Sequence, residues 1–422
     1  MSTSFPVIAA SPDEELPGWP CFTEEEIAAV AEVLRSGRVN YWTGRQGRLF
    51  EEEFAAFAGC RYAVAVASGT VALELALRAL GIGPGDEVIT TSRTFIATAS
   101  SVIAVGAIPV FADVDVESQN ITAETIRPAI SARTRAIIAV HFSGLACDMD
   151  PILELARESG IHVIEDCAQA HGAAYKGRPV GSMSDIAAFS MCQDKIMTTA
   201  GEGGMVTTNS EPLWRAMWAY KDHGKSYDAV YNRNHPTGFR WLHESFGTNW
   251  RLCEVQSALG RVQLRKAPAW VATRRSHAKF LTGGLAALRA LRIPRAPEHF
   301  DHAYYRLYAF IRPERLLPGW NRELILEKIL AQGIPCNTGS CSEVYLEKAF
   351  PAKMRPRQRL PIARELGETS LAFQVHPTLE TRHLERTCQV VEDVMRRATR
   401  AEVSHREEKL ELAGIRVTKC EA

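Results

Sequence analysis

The stretch from Val163 to Gly204, VIEDCAQAHGAAYKGRPVGSMSDIAAFSMCQDKIMTTAGEGG, decides the fold. Its first apolar run ends in Glu165-Asp166, its second ends in Phe189-Ser190, and Lys195 stands before a glycine-rich turn. Ligands of open parallel sheets collect beyond the carboxyl ends of the strands, where Asp166 and Ser190 fall in this reading. An acid at a strand end and a lysine further along suit pyridoxal 5'-phosphate (PLP). That cofactor takes a lysine for its Schiff base and a carboxylate to keep its ring nitrogen protonated.

The surrounding sequence repeats the same rhythm. Helices are predicted over 24–36 and 47–58, then a strand at RYAVAVA (61–67), a break at Ser68-Gly69-Thr70, and the helix VALELALRAL. Strands follow at EVITT, IPVFADV, RAIIAVH and IHVIED, separated by a helix from Phe95, one near 122–131, and PILELARES. Short apolar runs between helices predict an α/β fold with a mainly parallel central sheet covered on both faces. After residue 265 the pattern changes to a long helix over 267–290, a strand in HAYYRLYAFIRP, a helix in RELILEKILAQG and a last helix over 381–400. The division expected is a large cofactor-binding domain over 1–265, a smaller α+β domain over 266–400, and a charged tail over 401–422.

Composition narrows the class. Lys+Arg and Asp+Glu both number 49, so no net charge draws the chain to nucleic acid or an anionic membrane. No apolar run approaches the roughly 18 residues of a membrane helix, and the first residues lack the pattern of a signal peptide. Ten scattered cysteines form no CxxC pair and no metal-ligand spacing, which implies reduced thiols, no metal and a cytoplasmic protein. Cys167 and Cys192 read as small packing residues.

Each candidate residue has a plain alternative. Lys195 as catalyst carries the cofactor and shuttles a proton at the substrate carbon, whereas most lysines are only solvated. Asp166 faces the ring nitrogen or caps a helix. Gln169 reaches the ring hydroxyl, while His171 reads as a packed, hydrogen-bonded histidine. Ser68-Gly69-Thr70 is an anion pocket at a helix N-terminus or a capped turn. Phe95 lies on the pyridine ring or belongs to the core.

With these residues placed, the chain resembles the DegT/DnrJ/EryC1/StrS family of PLP-dependent nucleotide-sugar aminotransferases, of aminotransferase fold type I. The segments SGTVALELAL, GDEVITTSRTFIATA, GAIPVFADVD, VHFSGLACDMD, EDCAQAHGAAYKGRPVG, FSMCQDKIMTTAGEGG and GTNWRLCEVQSALGRVQL carry the likeness, between residues 18 and 398. The resemblance implies that Lys195 forms the Schiff base, Asp166 pairs with the pyridine nitrogen and Gln169 meets the ring hydroxyl. It also implies that Phe95 stacks on the ring and that Gly69, Thr70 and Ser190 hold the phosphate. Asn249, with Arg251 after it, would reach the phosphate of a neighbouring subunit's cofactor in a homodimer with shared sites.

The implied reaction moves an amino group, from L-glutamate, onto a keto-sugar carried by a nucleotide, in polysaccharide or natural-product sugar biosynthesis. Departures from the family pattern fall at Met191, Cys192, Gln193 and Asp194, in the 226–246 segment and around CNTGSCSEVYLEKAF. A sister group that deoxygenates ketosugars has histidine in place of the lysine, and Lys195 argues against it. Arg45, Arg48 and Arg240 are candidates for the nucleotide by position. Two other readings stay open: a PLP enzyme acting on a cyclic ketone without a nucleotide, and a PLP-binding regulator.

Overall fold

A computed structural model describes residues 16–399. Seven strands build the main sheet: β1 (Tyr62–Val66), β2 (Glu87–Thr91), β3 (Ile108–Ala112), β4 (Thr134–Val140), β5 (His162–Asp166), β6 (Ile186–Ser190) and β7 (Gly204–Thr208). Their spatial order is β1-β7-β6-β5-β4-β2-β3. The pairs β2–β3, β2–β4, β4–β5 and β5–β6 are parallel, and only β7 runs against its neighbours β1 and β6. The glycine-rich turn before Gly204 carries no sign of a following strand, yet β7 starts at Gly204. The turn folds the chain straight back beside β6, which makes that strand antiparallel.

Both faces of the sheet are covered, which explains why its strands are nearly continuous apolar runs. Neighbouring residues of a strand point to opposite faces. In β4, Ile137 and Ala139 join one core cluster while Ala136, Ile138 and Val140 join the other. In β1, Ala63 and Ala65 divide from Val64 and Val66 in the same way.

The helix Glu24–Ser36 matches its expected span because both ends are marked locally. Thr23 and Glu26 form a capping box, and Gly37 closes the helix at φ 66°. The helix expected near 122–131 is one α-turn, Ala123–Ile126, continued as a 3-10 turn over Arg127–Ala129. Pro128 lacks the N–H that would extend it.

The long helix expected over 267–290 spans Glu254–Leu285, with Pro268 inside it. The boundary placed at 265/266 therefore falls within a helix rather than at a linker. Beyond it, Leu291–Arg292, Leu307–Ile311, Ser370–Phe373 and Cys336–Asn337 form, in that order, an antiparallel four-stranded sheet. Helices Arg322–Leu330 and Thr381–Ala398 cover it through Ile325, Ile329, Val391 and Val394. The expected tail, 401–422, lies outside the described residues. Among the described residues no helix is long and apolar enough to cross a membrane, and the nine described cysteines are free.

One buried ion pair ties three elements of the large domain. The Lys221 ammonium, fully buried after the helix Glu211–Tyr220, pairs with Glu51 and lies 4.3 Å from the Tyr41 ring centroid. Glu51 also accepts hydrogen bonds from the Ala65 N–H at 2.9 Å and the Tyr41 hydroxyl at 2.9 Å. Substituting Lys221→Met strands the Glu51 charge, and stability should fall by about 3–5 kcal/mol. Urea denaturation followed by circular dichroism checks this, and an unchanged midpoint would refute it.

Candidate active site

The carboxyl ends of the parallel strands open into a pocket of about 440 Å³. Gly69, Thr70, Phe95, Asp166, Gln169, Ser190 and Lys195 all line it, so seven residues chosen from sequence meet in one place. A larger cleft of about 740 Å³, bordered by Arg292, Phe310, Arg312, Arg359 and Arg364, contains none of them.

Asp166 is the last residue of β5 and is buried. Its carboxylate accepts hydrogen bonds from the Thr98 hydroxyl at 2.8 Å and the Ala168 N–H at 3.1 Å. Burial pushes its affinity for a proton above that of an ordinary aspartate, and those two bonds with the Lys195 charge pull it partly back. Among the described residues it forms no ion pair. Lys195 sits in the turn after β6, its side chain largely buried and its ammonium 3.8 Å from the Asp194 carboxylate. The backbone carbonyl of Lys195 accepts a 2.8 Å hydrogen bond from the Trp19 indole, which fixes the lysine from behind.

Ser68 is the N-cap of the helix Gly69–Ala79, its hydroxyl accepting from the Val71 N–H. The capping and anion-pocket readings are thus compatible, since the cap leaves other N–H groups at the helix start. Gly69 is required by close approach, because a Cβ there would lie 2.5 Å from the Ser190 Cβ. A Cβ on Gly204 would strike the Ser68 carbonyl oxygen. Gln169 accepts the Ser143 N–H at 2.8 Å and points its amide nitrogen toward Ser340, 3.4 Å away. Phe95 is 66% exposed and therefore not a core residue.

PLP fits this donor set on structural grounds. The buried Asp166, which forms no ion pair among the described residues, suits a protonated ring nitrogen. The crowded glycines bring the start of the helix against Ser190, where a phosphate finds backbone N–H groups and hydroxyls.

Other expectations fare differently. His171, expected to be packed and hydrogen-bonded, is packed against Phe54 and Phe189, but among the described residues neither ring nitrogen has a hydrogen-bond partner, and burial pushes its pKa down to about 3. Cys167 is buried, whereas Cys192 lines the pocket. Asn249 is exposed, does not line the pocket of its own chain, and forms a β-bridge with Asp222. Arg251 pairs with the Asp222 carboxylate, which also binds Lys225 at 2.9 Å. Arg45, Arg48 and Arg240 do not line the pocket.

The sequence reading missed Thr98, Tyr305, Arg306, Asn337 and Ser340 as pocket residues, and noted Asp194 only as a departure. Thr98 had a signal, lying four residues beyond Thr94, whose hydroxyl it meets, and close behind Phe95. The residues after 300 had none, because their distance along the chain hides their proximity.

Comparison with known proteins places this geometry. A profile described as the DegT/DnrJ/EryC1/StrS aminotransferase family matches residues 20–392. The chain is 37% identical over 356 residues to the dTDP-3-amino-3,4,6-trideoxy-alpha-D-glucose transaminase of Streptomyces venezuelae, covering 84% of this chain and 88% of that relative. It is 36% identical over 368 residues to the UDP-N-acetyl-3-dehydro-alpha-D-glucosamine 3-aminotransferase of Acidithiobacillus ferrooxidans, covering 87% of this chain and 93% of that one. Among solved structures, an aminotransferase from Psychrobacter cryohalolentis superimposes with a TM-score of 0.90 at 53% identity, covering 91% of this chain and 99% of its own.

The glycine contacts yield a direct test. In Gly204→Ala the Ser68 carbonyl must move, a strain of about 1–3 kcal/mol, which weakens PLP binding by about fivefold to a hundredfold. Titration of cofactor-free protein with PLP, followed by visible absorption, measures this. An affinity equal to that of the parent protein would show that the cradle tolerates the methyl group.

Proposed function

We propose, for a chain that belongs to the DegT/DnrJ/EryC1/StrS aminotransferase family and is a PLP-dependent aminotransferase of fold type I, a reaction in which L-glutamate gives its amino group to a nucleotide-linked keto-sugar. The acceptor is of the 3- or 4-keto-6-deoxyhexose type, in polysaccharide or natural-product sugar biosynthesis. Both relatives quoted above carry names that put nitrogen at C-3 of a nucleotide-bound sugar, which favours the 3-keto form. The free thiols of the described cysteines support a cytoplasmic setting. The observation that carries the reading is the convergence of Lys195, Asp166, Gly69 and Ser190 on one pocket.

When bound, PLP supplies a carbon that takes up the amino group and a ring that accepts electrons from the carbon beside the nitrogen. The chain supplies the rest. Lys195 holds the cofactor covalently through Nζ and, once released, takes and returns the proton at the substrate carbon. Asp166 keeps a proton on the ring nitrogen. Gln169 hydrogen-bonds the ring hydroxyl, Phe95 covers a ring face, and Gly69, Thr70 and Ser190 hold the phosphate. Donor and acceptor use this pocket in turn.

Asn249 belongs to a second part of the proposal, a homodimer with shared sites. Its segment is bonded to the end of β1, with the Ala67 N–H donating to the Trp250 carbonyl at 2.9 Å, beside the Ser68 turn. Exposed there, Asn249 is available to the cofactor phosphate of a partner subunit, and two-fold symmetry would use it twice.

The test is incubation of the cofactor-loaded protein with L-glutamate and a panel of dTDP- and UDP-linked keto-sugars, reading 2-oxoglutarate and amino-sugar by mass spectrometry. Transfer only to a cyclic ketone without a nucleotide, or PLP binding without release of 2-oxoglutarate, would overturn the sugar-nucleotide reading. Lys195→Ala should lose the visible absorption of the lysine-bound cofactor and all turnover while staying folded. Asp166→Asn should bind PLP but turn over slower by about 10² or more, since removing a buried charge partner costs roughly 3–5 kcal/mol; a rate near that of the parent protein would assign the ring nitrogen to another residue. Mixing inactive Lys195→Ala with inactive Asn249→Ala subunits should restore activity, because some heterodimers hold one complete site. No recovery after proven subunit exchange would remove the shared-site proposal and leave the cofactor chemistry intact.

A further inference from the structure

Two cationic side chains line the pocket among the described residues, Lys195 and Arg306. Lys195 is committed to the cofactor in the reading above, on which this inference rests. Arg306 then remains as the positive charge facing whatever enters.

The position of Arg306 is tightly built. Its backbone carbonyl accepts a 2.9 Å hydrogen bond from the Ser143 hydroxyl. The carbonyl of Ser143 in turn takes the Tyr305 N–H at 2.9 Å, and its own N–H goes to Gln169. Ser143 holds a left-handed backbone at φ 54°, a conformation that a serine keeps only when its surroundings enforce it. One strained residue thus registers Arg306 against the large domain beside Gln169.

The guanidinium itself is loosely paired. Its nearest acid is Asp194, with Nη2 to Oδ2 at 3.8 Å, longer than a hydrogen bond. The other carboxylate oxygen of Asp194 lies 3.8 Å from Lys195 Nζ. Lys195 Nζ and the Arg306 guanidinium also lie 5.0 Å and 5.1 Å from the centroid of the Tyr305 ring, whose hydroxyl donates to Asp194. A fork of N–H donors is therefore held beside the amine-handling lysine, restrained by the Tyr305 side chain and by an acid beyond hydrogen-bond distance.

We infer that Arg306 binds the carboxylate of the amino donor. An amino acid presents that carboxylate on the carbon bearing its amine, so the anion enters beside Lys195. A nucleotide-linked keto-sugar has no charge at its reacting carbon; its anionic diphosphate lies at the other end. A cation next to Lys195 is of use to the donor half-reaction, and guanidinium pairs carboxylates in a planar, two-pronged way that an ammonium does not match. Asp194 serves as the resident counter-ion, holding the fork in the pocket between donors.

The test compares cofactor-loaded parent protein with Arg306→Lys and Arg306→Gln. Glutarate, a dicarboxylate with no amine to react, is titrated in and followed by visible absorption. Release of 2-oxoglutarate from L-glutamate is measured separately without any sugar. Both variants should need about tenfold to a hundredfold more glutarate and more glutamate for half-saturation, with the acceptor KM unmoved. If Arg306→Gln fails to fold, Arg306→Lys carries the comparison, since it keeps the charge and loses the fork. Unchanged glutarate and glutamate affinities overturn the inference, as does a rise confined to the sugar-nucleotide KM, which would assign Arg306 to the diphosphate. Parent protein that binds glutarate through Arg306 but releases nothing from glutamate would instead overturn the choice of glutamate as donor.

Discussion

The site stands on Glu165, a residue that does not face it. Its carboxylate is fully buried and accepts the N–H groups of Gly181, Met183 and Ser184, the Ser184 hydroxyl, and the His141 ring at 3.0 Å. Burial alone would raise its proton affinity, but His141 and the turn donors more than offset this and hold it below the ordinary carboxylate range. His141 Nδ1 accepts the Cys147 N–H, so its other nitrogen carries the proton given to Glu165. One charge thereby fixes the ends of β4 and β5 and the turn entering β6. Because adjacent residues of a strand face opposite ways, anchoring Glu165 on one side presents Asp166 on the other.

The seven-stranded sheet and the later four-stranded sheet are joined through a second buried charge. Arg93, fully buried two residues before Phe95, lies within 4.8 Å of the Phe142 ring centroid and 5.2 Å of that of Tyr308. It donates to Gln119 at 3.2 Å and to Ser342 at 2.7 Å. Burial pulls its pKa down to about 10, and aromatic faces stand in for the missing carboxylate. Tyr308 lies in the four-stranded sheet and Ser342 in the chain between its strands, so this guanidinium seats that later segment against the loop that carries Phe95.

Much of this was legible in the sequence because the large domain is locally punctuated. Thr23 with Glu26, Gly37, and Ser68 before Gly69 mark helix ends by side chains a few residues away. The glycine–Ser190 approach leaves its trace in the residue types themselves. The pocket walls of Tyr305, Arg306, Asn337 and Ser340 were not legible, since nothing in a short window records a contact between segments more than a hundred residues apart. His171 failed for a related reason. A histidine in an apolar box looks, in sequence, like one with a hydrogen-bond partner. The strand β7 was hidden because a glycine turn gives no sign of which direction the chain takes on leaving it.

Asp166 carries a consequence for the life of the molecule outside its catalytic cycle. A carboxylate whose proton affinity is raised by folding makes the folded chain less stable as pH climbs above the unfolded value, and that deficit persists at neutrality. A cation bound against Asp166 would remove the deficit, which links occupancy of the pocket to folding stability. On this linkage the cofactor-free chain is less stable than the loaded one at neutral pH. The buried carboxylate at the end of β5 thus couples the filling of the pocket to the stability of the sheet that builds it.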